Sequence, residues 1–212
     1  MHQIILPIAG SEATYLVQPS KIVALGLNYR DHIAESHSVR VKGFTPEEPQ
    51  EPVLFPKTTN SLIGPDEPIV LPRFVDRYRF EDPRIDYEAE LAFIIGRDCK
   101  DVAERDAYDV IFGFLCLNDV SQRNIQTGDK SGWFRGKSFD TFCPVGPRVV
   151  RTADLDDPQE LDIVCRLNGE TVQSSNTRHM IFSIPTIVEF ISSNFTLYEG
   201  DIITTGTPSG VG

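Results

Sequence analysis

The chain has 212 residues, of which 40% are hydrophobic and 24% are charged, so we expect a soluble, globular protein. Its formal net charge of −11 argues against nucleic acid or an anionic membrane as the main partner, and a small anionic substrate would need a local basic pocket. No apolar run approaches the length of a membrane span, and the N-terminal residues do not fit a signal peptide. The four cysteines are far apart and form no CxxC pair, which favours reduced packing residues in a cytoplasmic protein.

The first half of the chain predicts short strands separated by loops. Strands are expected at residues 4–6, 15–17, 22–25, 53–55 and 69–71. The segment NYRDHIAES after Gly26 predicts a brief helix capped by Asn28. Residues 36–52 are polar and rich in Gly and Pro, which indicates a long loop or a mobile flap, and residues 73–86 form a charged connection.

The second half predicts further strands and one clear helix. An amphipathic helix is expected at residues 102–110, a strand at 112–117, a short polar helix at 121–126, a hairpin at 161–173 and a final strand at 201–205. Residues 184–195 have helical periodicity, with Ser183 as the cap and Pro185 in the first turn. Strands dominate this order, so we predict a mainly β member of the α+β class rather than alternating βαβ units.

The segment DYEAELAFIIG (residues 86–96) places three carboxylates, Asp86, Glu88 and Glu90, at alternate positions as an apolar strand begins. Side chains two residues apart in a strand point to the same face, about 6–7 Å from one another. Asp119 follows another apolar strand and offers a further carboxylate. Unpaired carboxylates that share a face repel one another and resist burial, so this face needs compensating positive charge.

Two interpretations of this face remain open from spacing alone. A solvated strand edge could pair its acids with Arg84 or Arg97, or a divalent cation could bind the oxygen atoms, for which Mg²⁺, Mn²⁺ and Ca²⁺ are suited. Spacing also leaves open whether Asp86 is a ligand or lies behind the ligands.

Eight segments in the same order resemble the fumarylacetoacetate hydrolase family, in particular its acylpyruvase and hydroxymuconate isomerase-like branch. They are GLNYRDHIAES (26–36), PVLFPKTTNSLIGP (52–65), DYEAELAFIIG (86–96), GFLCLNDVSQRNIQ (113–126), GKSFDTFCPVGP (136–147), LNGETVQ (167–173), MIFSIPTIVEFIS (180–192) and EGDIITTGTPSGVG (199–212). The resemblance implies a distorted β-roll or barrel core with short helices, a homodimer, and a metal held by Glu88, Glu90 and Asp119. Mg²⁺ is the expected ion, with Mn²⁺ or Ca²⁺ as alternatives.

The resemblance also implies roles for residues around the metal. His32 and Glu35 match a catalytic pair in which Glu35 orients His32, although spacing alone favours an exposed helix pair without a role. Lys137 matches a catalytic lysine near the metal, whereas by spacing alone it is an ordinary solvated lysine. Lys57 matches a family lysine to which we assign no role.

Three further residues match positions on the substrate side of the family. They are Arg123, Gln126 and Thr207. A guanidinium such as that of Arg123 can hold a carboxylate through two parallel hydrogen bonds. Read without the family, Arg123 is a surface arginine on a short helix and Thr207 lies in a plain Gly/Pro turn.

The expected activity is metal-dependent chemistry on a small 2-oxo acid or its enol. The first hypothesis is hydrolysis of a C–C bond in an acylpyruvate-like compound through a metal-bound enolate, with His32 activating water. Isomerisation of a 2-hydroxy-diene dicarboxylate of the 5-carboxymethyl-2-hydroxymuconate type and decarboxylation of oxaloacetate are alternatives with the same enolate. A non-catalytic, metal-stabilised binding module is the alternative of another class.

We expect residues 1–212 to form a single catalytic domain. Residues 1–50 are expected to be a small N-terminal part with the flap, and residues 51–212 a β-rich core that binds the metal. Because family members continue past GTPSGVG with further strands, we also expect more chain beyond Gly212 in a catalytic protein.

Overall fold

The computed structural model describes residues 3–35, 48–128 and 133–212, without the side chains of residues 34 and 35. The strands are β1 (Ile4–Pro7), β2 (Thr14–Val17), β3 (Ile22–Gly26), β4 (Val53–Lys57), β5 (Leu62–Ile63), β6 (Ile85–Asp86), β7 (Ala89–Ile95), β8 (Ile111–Asn118), β9 (Ser121–Gln122), β10 (Cys143–Arg151), β11 (Asp162–Leu167), β12 (Glu170–Asn176) and β13 (Ile202–Thr204). The α-helices are α1 (Arg30–Glu35), α2 (Arg123–Gly128), α3 (Phe134–Lys137) and α4 (Ile184–Asn194). Short 3₁₀ helices cover Thr59–Ser61, Arg73–Tyr78, Glu104–Val110, Thr152–Asp154, Pro158–Glu160 and Thr177–His179.

One seven-stranded sheet organises the fold, in the order β4-β3-β13-β7-β8-β10-β5. The pairs β3–β13 and β5–β10 are parallel and the other neighbours are antiparallel. Three two-stranded sheets, β1–β2, β11–β12 and β6–β9, flank it within the described residues. The mainly β fold with short helices confirms the predicted class.

The central strand β7 is buried on both faces, which explains its continuous apolar sequence. Leu91, Phe93 and Ile95 point into a core that α4 covers. Ala92 and Ile94 point to the opposite face, into a second core that the β1–β2 hairpin covers. Each fully buried side chain of this size contributes about 1.5–3 kcal/mol, so β7 is held firmly from both sides.

Helix α4 follows its sequence signals closely. The Ser183 side chain accepts a hydrogen bond from the Thr186 N–H, so it caps the helix as predicted. Ile184, Ile187 and Ile191 are fully buried and form the face that packs on the sheet. Within the described residues, no helix is both long enough and apolar enough to cross a membrane.

Most strands lie where the sequence predicts them. The expected strands at residues 4–6, 15–17, 22–25, 53–55, 112–117 and 201–205 are confirmed, with ends shifted by one or two residues. The hairpin around Asn168-Gly169 is confirmed as β11–β12. The loop or flap predicted at residues 36–52 lies largely outside the described residues, and the division at residue 50 stays a prediction.

The predicted strand at residues 69–71 is wrong. These three residues form no strand, and their side chains are 40–58% exposed. Pro68 and Pro72 bracket the segment and remove ladder donors, while the Val70 N–H donates to the Thr141 hydroxyl at 2.8 Å. An apolar tripeptide alone therefore does not specify a strand.

Three helix predictions need correction. Asn28 does not cap α1: its side chain accepts from the Phe182 N–H and donates to the Thr205 carbonyl, each at 2.8 Å, and the helix begins at Arg30. The helix expected at residues 102–110 is a 3₁₀ helix from Glu104 to Val110, a form common in short segments. The helix expected from residue 121 begins at Arg123, because the two preceding residues pair with β6.

Candidate active site

The acidic residues meet where β7 begins and β8 ends. These strands are antiparallel, with Ala89 opposite Asn118. The Asp119 N–H donates to the Glu88 carbonyl at 2.9 Å, and the Glu88 N–H donates to the Asn118 side chain at 2.9 Å. The Glu88, Glu90 and Asp119 carboxylates are buried, and one oxygen from each lies within 4.8 Å of the others.

Three buried cations surround these acids, each from a different element. Lys137 of α3 places its ammonium 2.6 Å from Glu88 and 2.5 Å from Asp119. Lys57 of β4 lies 2.6 Å from the other Asp119 oxygen. Arg123 of α2 donates to Glu88 at 2.6 Å.

The guanidinium of Arg123 lines the cavity and also donates hydrogen bonds to several protein side chains. It donates to Asp86 at 2.7 Å and to Gln126 at 2.6 Å in addition to Glu88. The oxygens of Asp86 are not among those that converge with Glu88 and Asp119. Asp86 thus pairs with Arg123 and does not belong to the group of converging carboxylates.

The pKa values of neighbouring acids diverge in this cluster. Burial alone would raise the pKa of Glu88, but the nearby Lys137 and Arg123 outweigh it and bring that pKa below its usual range. Burial raises the pKa of Glu90 well above its usual range, and the carboxylates of Asp119 and Glu88 add to this effect. Glu90 is therefore the acid whose charge the described cations compensate least.

A divalent ion fits this donor set. The four buried acids of the site carry one formal charge more than its three buried cations, Lys57, Lys137 and Arg123. One Glu90 oxygen accepts from the Gly206 N–H at 2.9 Å, while the other, Oε1, is buried and accepts no hydrogen bond from a described residue. Glu88, Glu90 and Asp119 would hold the ion through oxygen atoms, which Mg²⁺, Mn²⁺ and Ca²⁺ prefer.

A single cavity brings together most of the predicted site residues. Its polar wall consists of His32, Glu88, Glu90, Arg123, Gln126, Lys137 and Thr207, and its apolar wall consists of Leu25, Leu27, Phe55 and Trp133. Asp119 is not among the lining residues, but its carboxylate contacts Lys137 and its N–H donates to the Glu88 carbonyl. The Glu35 backbone ends α1, but its side chain lies outside the described part of the chain.

Sequence reasoning missed the residues that shape the apolar wall. Trp133 packs edge to face on Phe55, with ring centroids 5.2 Å apart. Gly26 leaves room for this ring, because a β-carbon at position 26 would lie 2.1 Å from Trp133. A lone Trp and a strand-end Gly carry no local signal of such contact.

Gln173 is a second residue that the sequence analysis did not single out. Its amide oxygen accepts from the Ala89 N–H at 2.9 Å, and its amide nitrogen donates to the Thr207 hydroxyl at 2.9 Å. Thr207 in turn donates to the Ala89 carbonyl at 2.9 Å. These bonds attach the loop after β13 to the start of β7, beside Glu88 and Glu90.

Comparison with known proteins identifies this arrangement. The family model described as fumarylacetoacetate hydrolase C-terminal matches residues 21–212. The chain belongs to the fumarylacetoacetate hydrolase family. A relative in this family, the mitochondrial oxaloacetate tautomerase of Rattus norvegicus, is 41% identical over 208 residues, which cover 97% of this chain and 62% of the rat protein.

Solved structures of the family share the fold. The 2-hydroxyhepta-2,4-diene-1,7-dioate isomerase of Mycobacterium marinum is 39% identical with a TM-score of 0.76, covering 94% of this chain and 69% of the isomerase. The fumarylpyruvate hydrolase of Pseudomonas aeruginosa, in complex with Mn²⁺ and pyruvate, is 27% identical with a TM-score of 0.81 and coverages of 99% and 86%. The family thus includes isomerase, tautomerase and hydrolase members, and a solved member binds Mn²⁺.

Proposed function

We propose that this chain is a divalent-metal-dependent enzyme that hydrolyses a C–C bond in an acylpyruvate-like compound. The observation that carries the proposal is the shared cavity, which His32, Arg123 and Lys137 line together with Glu88 and Glu90. A bound Mg²⁺ or Mn²⁺ would supply a Lewis acid for the negative charge that develops on substrate oxygens.

The buried cations suit an anionic substrate. Burial tends to lower the pKa of Lys137, but the Asp119 and Glu88 carboxylates outweigh it and raise that pKa above its usual value. The Arg123 pKa is likewise raised, because Glu88 and Asp86 outweigh the effect of burial. Both side chains therefore stay charged, attract a carboxylate and offset oxyanion charge inside a protein where such interactions are strong.

His32 is the group that distinguishes hydrolysis from other reactions of an enol. It is 5% exposed and lines the cavity, so it can take a proton from a water molecule that attacks the distal carbonyl. The C–C bond then breaks, and its electron pair stays on the 2-oxo acid fragment as an enolate. Protonation of the enolate carbon gives a 2-oxo acid, and the fragment with the attacked carbonyl leaves as a carboxylic acid.

Tautomerisation or isomerisation of a 2-oxo dicarboxylate is the second candidate. Relatives with such activities support it, the oxaloacetate tautomerase at 41% identity and the diene-dioate isomerase at 39%, by a small margin over family hydrolases at 35% and 36%. This reaction needs the same enolate but moves a proton instead of activating water. Loss of CO₂ from oxaloacetate would be a third outcome of the same chemistry.

Turnover assays separate these candidates. With Mn²⁺ or Mg²⁺ we expect release of pyruvate from an acylpyruvate, and a loss of about 100-fold or more in kcat for His32→Ala, as for removal of a general base. The matched control is His179→Ala, which should retain activity. His179 is an exposed histidine that is hydrogen-bonded to Ser175.

Other outcomes of the assays contradict the hydrolase proposal. Conversion of oxaloacetate or a hydroxymuconate-type diacid without acylpyruvate hydrolysis would favour the second candidate. An unchanged hydrolysis rate in His32→Ala would remove His32 from the reaction. Absence of turnover for every 2-oxo acid tested with both ions would leave a metal-stabilised binding module.

A further inference from the structure

Lys57 is a buried cation that does not line the cavity. It is the last residue of β4, and its side chain has no exposed surface. Its ammonium lies 2.6 Å from Oδ1 of Asp119 and also donates a hydrogen bond to the backbone carbonyl of Lys137. A buried ammonium is costly unless it is paired, so these two contacts account for its presence.

The two lysines hold the Asp119 carboxylate by different oxygens. Lys57 faces Oδ1, while Lys137 lies 2.5 Å from Oδ2. The terminal torsion of an aspartate has a broad energy minimum, so its carboxylate turns easily unless partners fix it. With a cation at each oxygen, the Asp119 carboxylate has one defined orientation next to Glu88.

Lys57 also reaches the segment that carries the other lysine. Its bond to the Lys137 carbonyl connects the end of β4 to the end of α3. The Thr58 hydroxyl adds a second connection, to the Ser138 carbonyl at 3.3 Å. One side chain thus contacts both an acid of the cluster and the backbone of Lys137.

We propose that Lys57 is a positioning residue of the metal centre, an inference that rests on the metal-dependent function proposed above. It fixes the orientation of the Asp119 carboxylate and, through the Lys137 carbonyl, the place of the Lys137 ammonium. Partners that orient metal-binding groups in this way are typically needed for affinity, and losing one weakens binding about 10- to 100-fold. A lysine that only supported the fold would not change the affinity of the folded protein for the ion.

The test is a titration of the purified chain with Mn²⁺, with free Mn²⁺ followed by electron paramagnetic resonance. Lys57→Met keeps the length of the side chain but removes its charge and donors, and we expect its Kd for Mn²⁺ to rise about 10- to 100-fold. Lys21 supplies the matched control, because it pairs with the fully buried Asp201 away from the cavity. Lys21→Met should lower the melting temperature while leaving the Kd unchanged.

Each outcome of the titration decides a separate question. A Kd for Lys57→Met equal to or lower than that of the wild type, or an equal rise in Lys21→Met, would overturn the positioning role alone. A wild-type chain that bound neither Mn²⁺ nor Mg²⁺ would overturn the proposed function and this role with it. If Lys57→Met does not fold, Lys57→Gln, which keeps a neutral donor, is judged by the same criterion.

Discussion

Asp119 and Asp201 both have no exposed surface and both face a lysine, yet their surroundings differ in kind. Asp201 accepts hydrogen bonds from two backbone N–H groups, those of Lys21 and Tyr198, and from the Ser20 hydroxyl. The Asp119 carboxylate instead faces the ammonium groups of Lys57 and Lys137, and two more acids lie beside it.

This difference indicates that Asp201 is an acid that supports the fold, whereas Asp119 is suited to binding a cation. Backbone donors at fixed positions hold Asp201 whatever the solution contains, and they join the starts of β3 and β13. The negative charge of Asp119 is instead compensated by the ammonium groups of Lys57 and Lys137, which lie at the ends of long side chains. The cluster around Asp119 still carries an excess of negative charge. We therefore expect ions in solution to affect the surroundings of Asp119 and not those of Asp201.

The sharpest test of this comparison changes each aspartate to asparagine. Asp119→Asn removes one converging oxygen and leaves Lys57 with no carboxylate partner among the described residues, so we expect Mn²⁺ affinity to fall at least about 100-fold, the upper end for groups that only orient ligands. Asp201→Asn should lower the free energy of unfolding by about 2 kcal/mol, because bonds to a charged acceptor are lost, while its Mn²⁺ affinity stays that of the wild type. Similar Mn²⁺ affinities in the two variants would break the comparison.

Arg123 tests whether the cations of the site act on the substrate. Lysine cannot reproduce the forked contacts of Arg123 with Asp86, Gln126 and Glu88, so Arg123→Lys should raise the KM for a 2-oxo acid about tenfold or more. The Kd for Mn²⁺ should change little if the substrate is what Arg123 holds. Arg135→Lys, at an arginine that donates to the Tyr78 hydroxyl and does not line the cavity, is the control.

A rise in the Kd for Mn²⁺ as large as the rise in KM would give a different answer. It would assign Arg123 to the support of Glu88 instead of to substrate binding.

The raised pKa of Glu90 predicts an unusual dependence of stability on pH in the metal-free protein. A carboxyl whose pKa is higher in the folded state keeps its proton more tightly when folded, so the free energy of unfolding falls as pH rises above the unfolded value of about 4.3. In EDTA, between about pH 5 and pH 8, we expect the melting temperature of the wild type to fall by several degrees more than that of Glu90→Gln. Glu189→Gln, at an exposed position on α4, should keep the wild-type slope, and identical slopes for all three proteins would contradict the prediction.

The smallest expected effect lies at Ser183, which, like Asp201, accepts a hydrogen bond from a backbone N–H group. Ser183→Ala removes the cap of α4 and should lower stability by about 1 kcal/mol, or about 2–4 °C in melting temperature for a chain of this size. Its Mn²⁺ affinity and turnover should equal those of the wild type. Ser193→Ala, whose hydroxyl donates to the Phe190 carbonyl on the exposed side of α4, should change the melting temperature less. A larger effect there than at Ser183 would refute the cap assignment.

Local patterns predicted the parts of this molecule that local physics determines. The run of apolar residues in β7, the Asn168-Gly169 turn and the Ser183 cap each specify their element, and the structure confirms them. The alternate carboxylates also revealed that an acidic cluster needs compensation. Its members were assigned by resemblance, because spacing did not decide between an ion and arginine partners.

What the sequence did not reveal depends on contacts between distant segments. Lys57 reaches Asp119 across 62 positions of the chain, and Gln173 reaches Thr207 from a separate hairpin. The contact of Gly26 with Trp133 is likewise invisible to periodicity. Residues 69–71 show the limit of a local pattern. Their apolar run has strand propensity, but the flanking prolines and the solvent exposure keep them out of any strand.

The position of β13 between β3 and β7 also determines when the enzyme can become active during synthesis. Residues 22–23 pair with residues 202–203, so β3 and β7 lack the strand between them until residues 202–204 have left the ribosome. The Gly206 N–H that binds Glu90 arrives later still. Such long-range pairing slows folding and exposes unpaired edges to other chains, so nascent copies should depend on chaperones until residues 202–206 emerge.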